Sequence, residues 1–178
     1  MLCLRQHFSA ALLAAFGLAH IAASAPTSRN AFAPVPIALG GKEADISEEF
    51  IRLMLPEYDV VHVVNSAPSG IYEFPPLVTG EYSIPVSGLG SNFNSPSPQK
   101  PKAIFIGGGF SQWEINKMYN TYSEVQAVPW LYPPTTARAN GTVVPATEAI
   151  VARVKQVFAQ YGLVPGNNTD PAPGIWSF

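Results

Sequence analysis

Apolar residues follow two rhythms along this chain. Short unbroken runs at 36–39, 59–64 and 103–106 are too brief for helices and stop at glycine or asparagine, as buried parallel strands do. Elsewhere apolar positions recur at three and four residues, which is the stripe of a surface helix. Phe50, Ile51, Met54 and Leu55 form one stripe, Ile115, Met118, Tyr119 and Tyr122 a second, and Ile150, Val151, Val154, Val157, Phe158 and Tyr161 a third. Asp45 followed by Glu48, and Ser111 followed by Glu114, have the spacing of capping boxes. Pro56 closes the first helix, and Gly162 sits where a helix C′ glycine belongs. A short last strand is expected at 124–129.

The order is strand, helix, strand, long excursion, strand, helix, strand, helix. It predicts an α/β fold: a small parallel sheet of about four strands with helices on both faces, a Rossmann- or flavodoxin-like three-layer architecture. Residues 26–34 read as an irregular lead-in, 35–162 as one α/β domain, and 163–178 as a loose tail. Between 65 and 101 the periodicity dissolves into Pro, Gly, Ser and Asn. That stretch is too long for an ordinary connection; it predicts a short helix near 71–78 and a surface excursion beyond it that could serve as a lid or binding segment.

The first 25 residues have the three parts of a secretory signal peptide: Arg5, an apolar run over 8–19, and the small residues Ala22, Ala23, Ser24 and Ala25. The expectation is a secreted protein with no membrane span once the leader is removed; a cytoplasmic protein with an alanine-rich leader is the alternative. Cys3, the one cysteine, lies in this leader, so the domain is expected to rest on its core rather than on disulfides. Asn140 and Asn167 head N-x-Thr triplets and are the candidate glycosylation sites. With 12 % charged residues and a net charge of −2, nothing here offers the basic face that nucleic acid requires.

The chemistry-bearing stretch is 102–114. An apolar strand ends at Gly107, Gly108 and Gly109, and a capped helix starts at Ser111. Glycines can take positive φ and let a ligand approach the backbone, while a helix N-terminus presents N–H groups to anions. Gln112 stands where a dinucleotide fingerprint needs its third glycine, and Asn65 where it needs an acid, so no nicotinamide cofactor is expected. Neither a P-loop nor a G-x-S-x-G elbow occurs, and outside the leader His62 is the lone imidazole, so no zinc or other metal site is expected. His62, mid-strand among valines and assigned to the face of Val60 and Val64, reads as a core histidine. Trp130 and Tyr132 are the candidate apolar walls of a ligand site beside the glycine turn.

Four stretches, at 55–63, 101–110, 128–131 and 151–155, resemble a group of small uncharacterised filamentous-fungal proteins of similar length and order of elements. The resemblance covers about residues 35–162 and implies a single Rossmann-like α/β domain of fungal source, with no catalytic residues to carry over. Three functional readings stay open. The first is a domain that binds a small ligand at the strand carboxyl ends through Gly107, Gly108, Gly109, Ser111, Trp130 and Tyr132. The second is a reductase- or isomerase-type enzyme acting on a fungal metabolite. The third is a secreted accessory protein without a small ligand.

Overall fold

Five parallel strands and four helices are built from these segments in the computed structural model, which describes residues 32–122, 125, 128–133, 145–176 and 178. The elements are β1 Val35–Gly40, α1 Ala44–Met54, β2 Tyr58–Val64, α2 Ala67–Thr79, β3 Ile104–Ile106, α3 Gln112–Tyr122, β4 Pro129–Leu131, α4 Thr147–Gln160 and β5 Gly174–Trp176. The sheet order is β2-β1-β3-β4-β5, every neighbouring pair parallel. The leader and Asn140 lie outside the described residues.

Alternation along each strand divides the core into two layers. Ile37, Leu39, Phe105 and Leu131 point to one face, where Phe50 and Met54 of α1 and Val151, Val154, Val157 and Phe158 of α4 cover them. Ala38, Ile104, Ile106 and Trp130 point to the other, against Phe74 and Leu77 of α2 and Ile115, Met118 and Tyr122 of α3. Both β3-to-β4 and β4-to-β5 step the same way across the sheet, yet α3 and α4 lie on opposite faces. Those two crossovers therefore have opposite hands, a departure from the uniform handedness of most parallel units.

The excursion has a structural task. β2 is an edge strand, whose outer row of backbone groups would otherwise be unpaired. Residues 87–92 run along it: Ser91 N donates to Val60 O (3.1 Å), Asn92 N to Val61 O (2.9 Å), and Ser87 Oγ to Val63 O (2.6 Å). Asn92 is buried and ties the far end of the excursion, accepting from Gln99 N and donating to Gln99 O. Gly90 (φ +101°) presses so close that a Cβ there would stand 2.6 Å from Val61 O.

Several expectations change. The sheet has five strands rather than about four, because the tail supplies β5: Trp176 is buried and stacks on Tyr161 at 4.3 Å. The helix expected near 71–78 is thirteen residues long, α2. Ser66 caps it by accepting from Ser69 N, and Pro68 sits in the first turn, where a missing N–H costs nothing. The last inner strand is Pro129–Leu131, C-terminal to most of the 124–129 window. The pair Asp45 and Glu48 makes no capping box; α1 begins at Ala44 with Glu43 as N-cap and no side-chain cap bond, and Asp45 accepts only from the adjacent Ile46 N–H. α4 does end as its Gly162 predicts: φ is +75°, Gly162 N donates to Ala159 O and Leu163 N to Phe158 O, the two bonds of a Schellman motif.

Candidate functional site

In an open parallel sheet, the crevice for a ligand forms where consecutive crossovers leave in opposite directions from neighbouring strands. Here that point lies between β1 and β3, whose connections run over opposite faces. The carboxyl ends at this point are Gly40, Gly41 and Lys42 after β1, and Gly107, Gly108, Gly109 and Phe110 after β3. The sequence-predicted glycine turn therefore sits at the switch point.

Glycine is needed here for close packing rather than for unusual backbone angles. None of Gly107, Gly108 or Gly109 has positive φ, so the turn does not use the left-handed freedom that glycine allows. Gly107 N donates to Gly40 O (2.8 Å) and binds the two strand ends together. A Cβ on Gly40 would stand 2.7 Å from Ile106 Cδ1, and one on Gly109 would touch the stem of Lys42. Gly108 differs: nothing lies within 4 Å of the place its Cβ would take, so its backbone faces open space.

A short polar network flanks that opening. Lys42 Nζ donates to both carboxylate oxygens of Glu114, at 2.8 and 3.0 Å, and lies 5.1 Å from the centre of the Phe110 ring. The Ser111 capping box forms as predicted, with Ser111 N and Oγ donating to Glu114 Oε2 (2.7 and 2.9 Å) and Glu114 N donating to Ser111 Oγ (3.3 Å). Glu114 is thus a carboxylate already seated at the start of α3, where the helix field favours negative charge. The Lys42 hydrogen bonds, with help from the Ser111 N–H, pull its pKa down to about 2. The first turn of α3 also carries Trp113, whose indole is 67 % exposed beneath the Lys117 ammonium.

The predicted residues divide accordingly. Gly107, Gly108, Gly109 and Ser111 come together at the switch point. Trp130 does not join them: it is fully buried between sheet and helices, edge-on to Phe74 and Tyr119 and tilted against Tyr122 at 5.2 to 5.5 Å. Tyr132 follows β4 half-buried against the same cluster. Trp130 lies mid-strand, where a side chain enters a layer of the core instead of the crevice. Lys42 and Glu114 were missed as members of the site. Their signal was positional: Lys42 lies two residues past the first strand and Glu114 in the first turn of the helix after the third, the two segments that border a switch point of this order.

His62 belongs elsewhere. A bulge in β2 pairs Ile37 with Val60 and Ala38 with His62, leaving Val61 over. Val60 accordingly faces the α1/α4 layer while Val64 faces the α2/α3 layer, so His62 does not share a face with both. Its imidazole is fully buried and its Nε2 meets Glu73 Oε2 of α2 at 2.7 Å. Of the sequons, Asn167 is described: its Nδ2 donates to Gly162 O (2.7 Å) and its Oδ1 accepts from Thr169 N, so the exposed amide is engaged in the turn after α4. Among the described residues no cluster of His, Cys, Asp and Glu could hold a metal ion, and no helix is long and apolar enough to cross a membrane. An open hollow on α1, lined by Asp45, Ile46, Glu48, Glu49 and Arg52, carries no converging polar groups of the site.

No family model and no solved structure matches the chain. It is similar to Kojic acid related protein 6 of Aspergillus oryzae, 25 % identical over 101 residues, which is 56 % of this chain. The chain spans 58 % of the length of that fungal relative.

Proposed function

We propose that this protein is a fungal small-molecule-binding domain whose ligand sits at the β1/β3 switch point against Gly108. The observation that carries the reading is the open backbone at Gly108, flanked by Lys42, Glu114 and Ser111 at the carboxyl ends of the two central strands. The third N–H of the Lys42 ammonium supplies a donor, the Glu114 carboxylate its remaining lone pairs, and Trp113 an exposed aromatic surface on the same helix turn. Such a set suits a compact ring compound that carries hydroxyl and carbonyl oxygens. The A. oryzae relative bears the name of such a compound, kojic acid, a hydroxylated pyranone, which makes it the first probe. We also propose that residues 1–25 act as a secretory leader, in which case protein recovered from culture medium should begin near Ala25 or Pro26.

The test is an NMR titration of the full chain with kojic acid at millimolar concentration. Saturable shifts of the Gly107 to Ser111 amides are expected. Gly108→Val should abolish them while leaving the melting temperature unchanged, because its side chain enters open space. Shifts elsewhere, or equal binding by the folded variant, would remove the glycine turn from the site.

A further inference from the structure

Among the described residues, the most deeply buried titratable group lies away from the switch point, under the strap that closes the edge of β2. His62 is completely buried, and the Glu73 side chain is 8 % exposed. Their contact at 2.7 Å takes up Nε2 and Oε2, while His62 Nδ1 and Glu73 Oε1 are buried with no partner among the described residues. The same oxygen that meets His62 accepts from Val86 N of the excursion, at 3.4 Å. Immediately after it, Ser87 Oγ bonds Val63 O, and Ser91 and Asn92 bond the carbonyls of Val60 and of Val61, the bulged residue that places His62. The pair and the strap thus share one short stretch of β2.

We infer that the His62–Glu73 pair is a proton-operated latch that holds residues 81–101 on the edge of β2. The argument is one of charge. With one dissociable proton between them the pair is net neutral, either as imidazolium and carboxylate or as imidazole and carboxylic acid. Losing one leaves a net negative charge in the core, and gaining one leaves a net positive charge. Either is costly where water cannot reach, and the nearest relief is for the strap to lift and admit solvent.

Among the described residues, no neighbouring charge offsets this. On β2, Asp59 bonds Ser91 Oγ. On the excursion the charged groups are Glu81 and Lys100, both exposed, and Lys102 beyond it pairs with Asp170. On α3, packed beside α2, Glu114 is held by Lys42, and Lys117 lies over Trp113. β1 carries no charged residue, and none of the bonds of these groups reaches His62 or Glu73. The inference is independent of the ligand reading, since it concerns the β2 edge and its strap and not the loops after β1 and β3.

Residue-resolved hydrogen exchange of the full chain, corrected for the intrinsic pH dependence of exchange, tests it. The amides of Val86, Ser91 and Asn92 should be protected over a central pH plateau. Beyond each edge their protection should fall by up to about tenfold per pH unit, the slope one proton imposes. Leu39 and Phe105 amides should not follow. Glu73→Gln keeps the size and a hydrogen bond to the imidazole but removes the carboxyl, and should erase the alkaline limb. Ser87→Ala should lower the plateau and keep both limbs. Strap amides that track the core amides at every pH in the wild-type protein would overturn the latch, whether or not the Gln variant folds. So would an alkaline limb that survives in a folded Glu73→Gln.

Discussion

Lys42 and Glu114, 72 residues apart in sequence, join as a bidentate ion pair across the switch point of the sheet, 2.8 and 3.0 Å from ammonium to carboxylate. The pair links the segment leaving β1 to the first turn of α3, so one contact fixes the two loops that frame Gly108. Its energetics follow from its partial exposure: it gains from bidentate geometry and loses to solvent screening, for a net of about 1 kcal/mol.

That pair gives an acid-dependent prediction. Glu114 has a folded-state pKa of about 2 against an ordinary 4.5. A depressed carboxyl stabilises the fold above its unfolded value, and the contribution is lost as pH falls from about 4.5 toward 2. Denaturant unfolding should show the wild type about 1 kcal/mol more stable than Glu114→Gln at neutral pH, with the gap narrowing below pH 4.5 and closing only near pH 2. A gap that stays constant across this range would mean that the ion pair contributes nothing.

The glycines should separate by space and φ. Gly108→Ala meets nothing within 4 Å and has no left-handed φ, so its stability should stay within about 0.5 kcal/mol of wild type. Gly90→Ala combines φ +101° with a clash against backbone Val61, and neither can relax without lifting the strap. A loss of about 2 kcal/mol or more is expected, together with faster exchange of Ser91 and Asn92 amides. Equal melting temperatures for the two variants would contradict this.

The parts of the fold legible in the sequence were those where local pattern and tertiary role agree. Runs such as 103–106 have no competing reading, and Ser111 with Glu114 is a local device whose hydrogen bonds need no distant partner. α2 was half-seen because Pro75 and Pro76 argue against a helix, yet Phe74, Leu77 and Val78 bury against β2 and α3 and override them. β5 was missed because three residues carry no periodicity; only its pairing with β4 makes it a strand. The bulge at Val61 was invisible for the same reason: one extra residue in a valine run changes no pattern, but it moves His62 to the face where Glu73 waits. At the site, the glycine turn was legible and its partner Lys42 was not, since the meeting depends on which strands are neighbours. Trp130 shows the converse error, as its chemistry suited a pocket while its place in mid-strand assigned it to the core.

Helix α2 approaches α3 over Gly70, where an added Cβ would stand 2.4 Å from Met118 Sδ. The obstacle is a flexible side chain, so Met118 can shift at the cost of disturbing Tyr122 and Trp130. Gly70→Ala should destabilise by about 1 to 3 kcal/mol, the range for overpacking a filled core. Combining it with Met118→Leu, which removes the sulfur position, should recover part of the loss. Additive losses in a double-mutant cycle would rule out this contact as the cause.

Tyr58 provides an alkaline counterpart to Glu114. Its ring is buried against Phe158, and its hydroxyl donates to Leu163 O at 2.7 Å, tying the first residue of β2 to the turn that closes α4. Burial, helped by the nearby Glu57 carboxylate, raises its pKa from 10.0 to about 12. A raised pKa stabilises the fold while the phenol stays protonated, fully below the unfolded value of 10.0, and the contribution is lost as pH rises from there to about 12. Tyr58→Phe should therefore cost about 1 to 3 kcal/mol at neutral pH, because the Leu163 carbonyl loses its donor, and it should flatten the decline in stability between pH 10 and 12. Ultraviolet difference spectra against this variant isolate the Tyr58 phenolate. Its absorbance should rise only as the protein unfolds, in step with the loss of circular dichroism. A phenolate signal that appears near pH 10 with the fold intact would show that the hydroxyl is open to solvent and its bond to Leu163 not made.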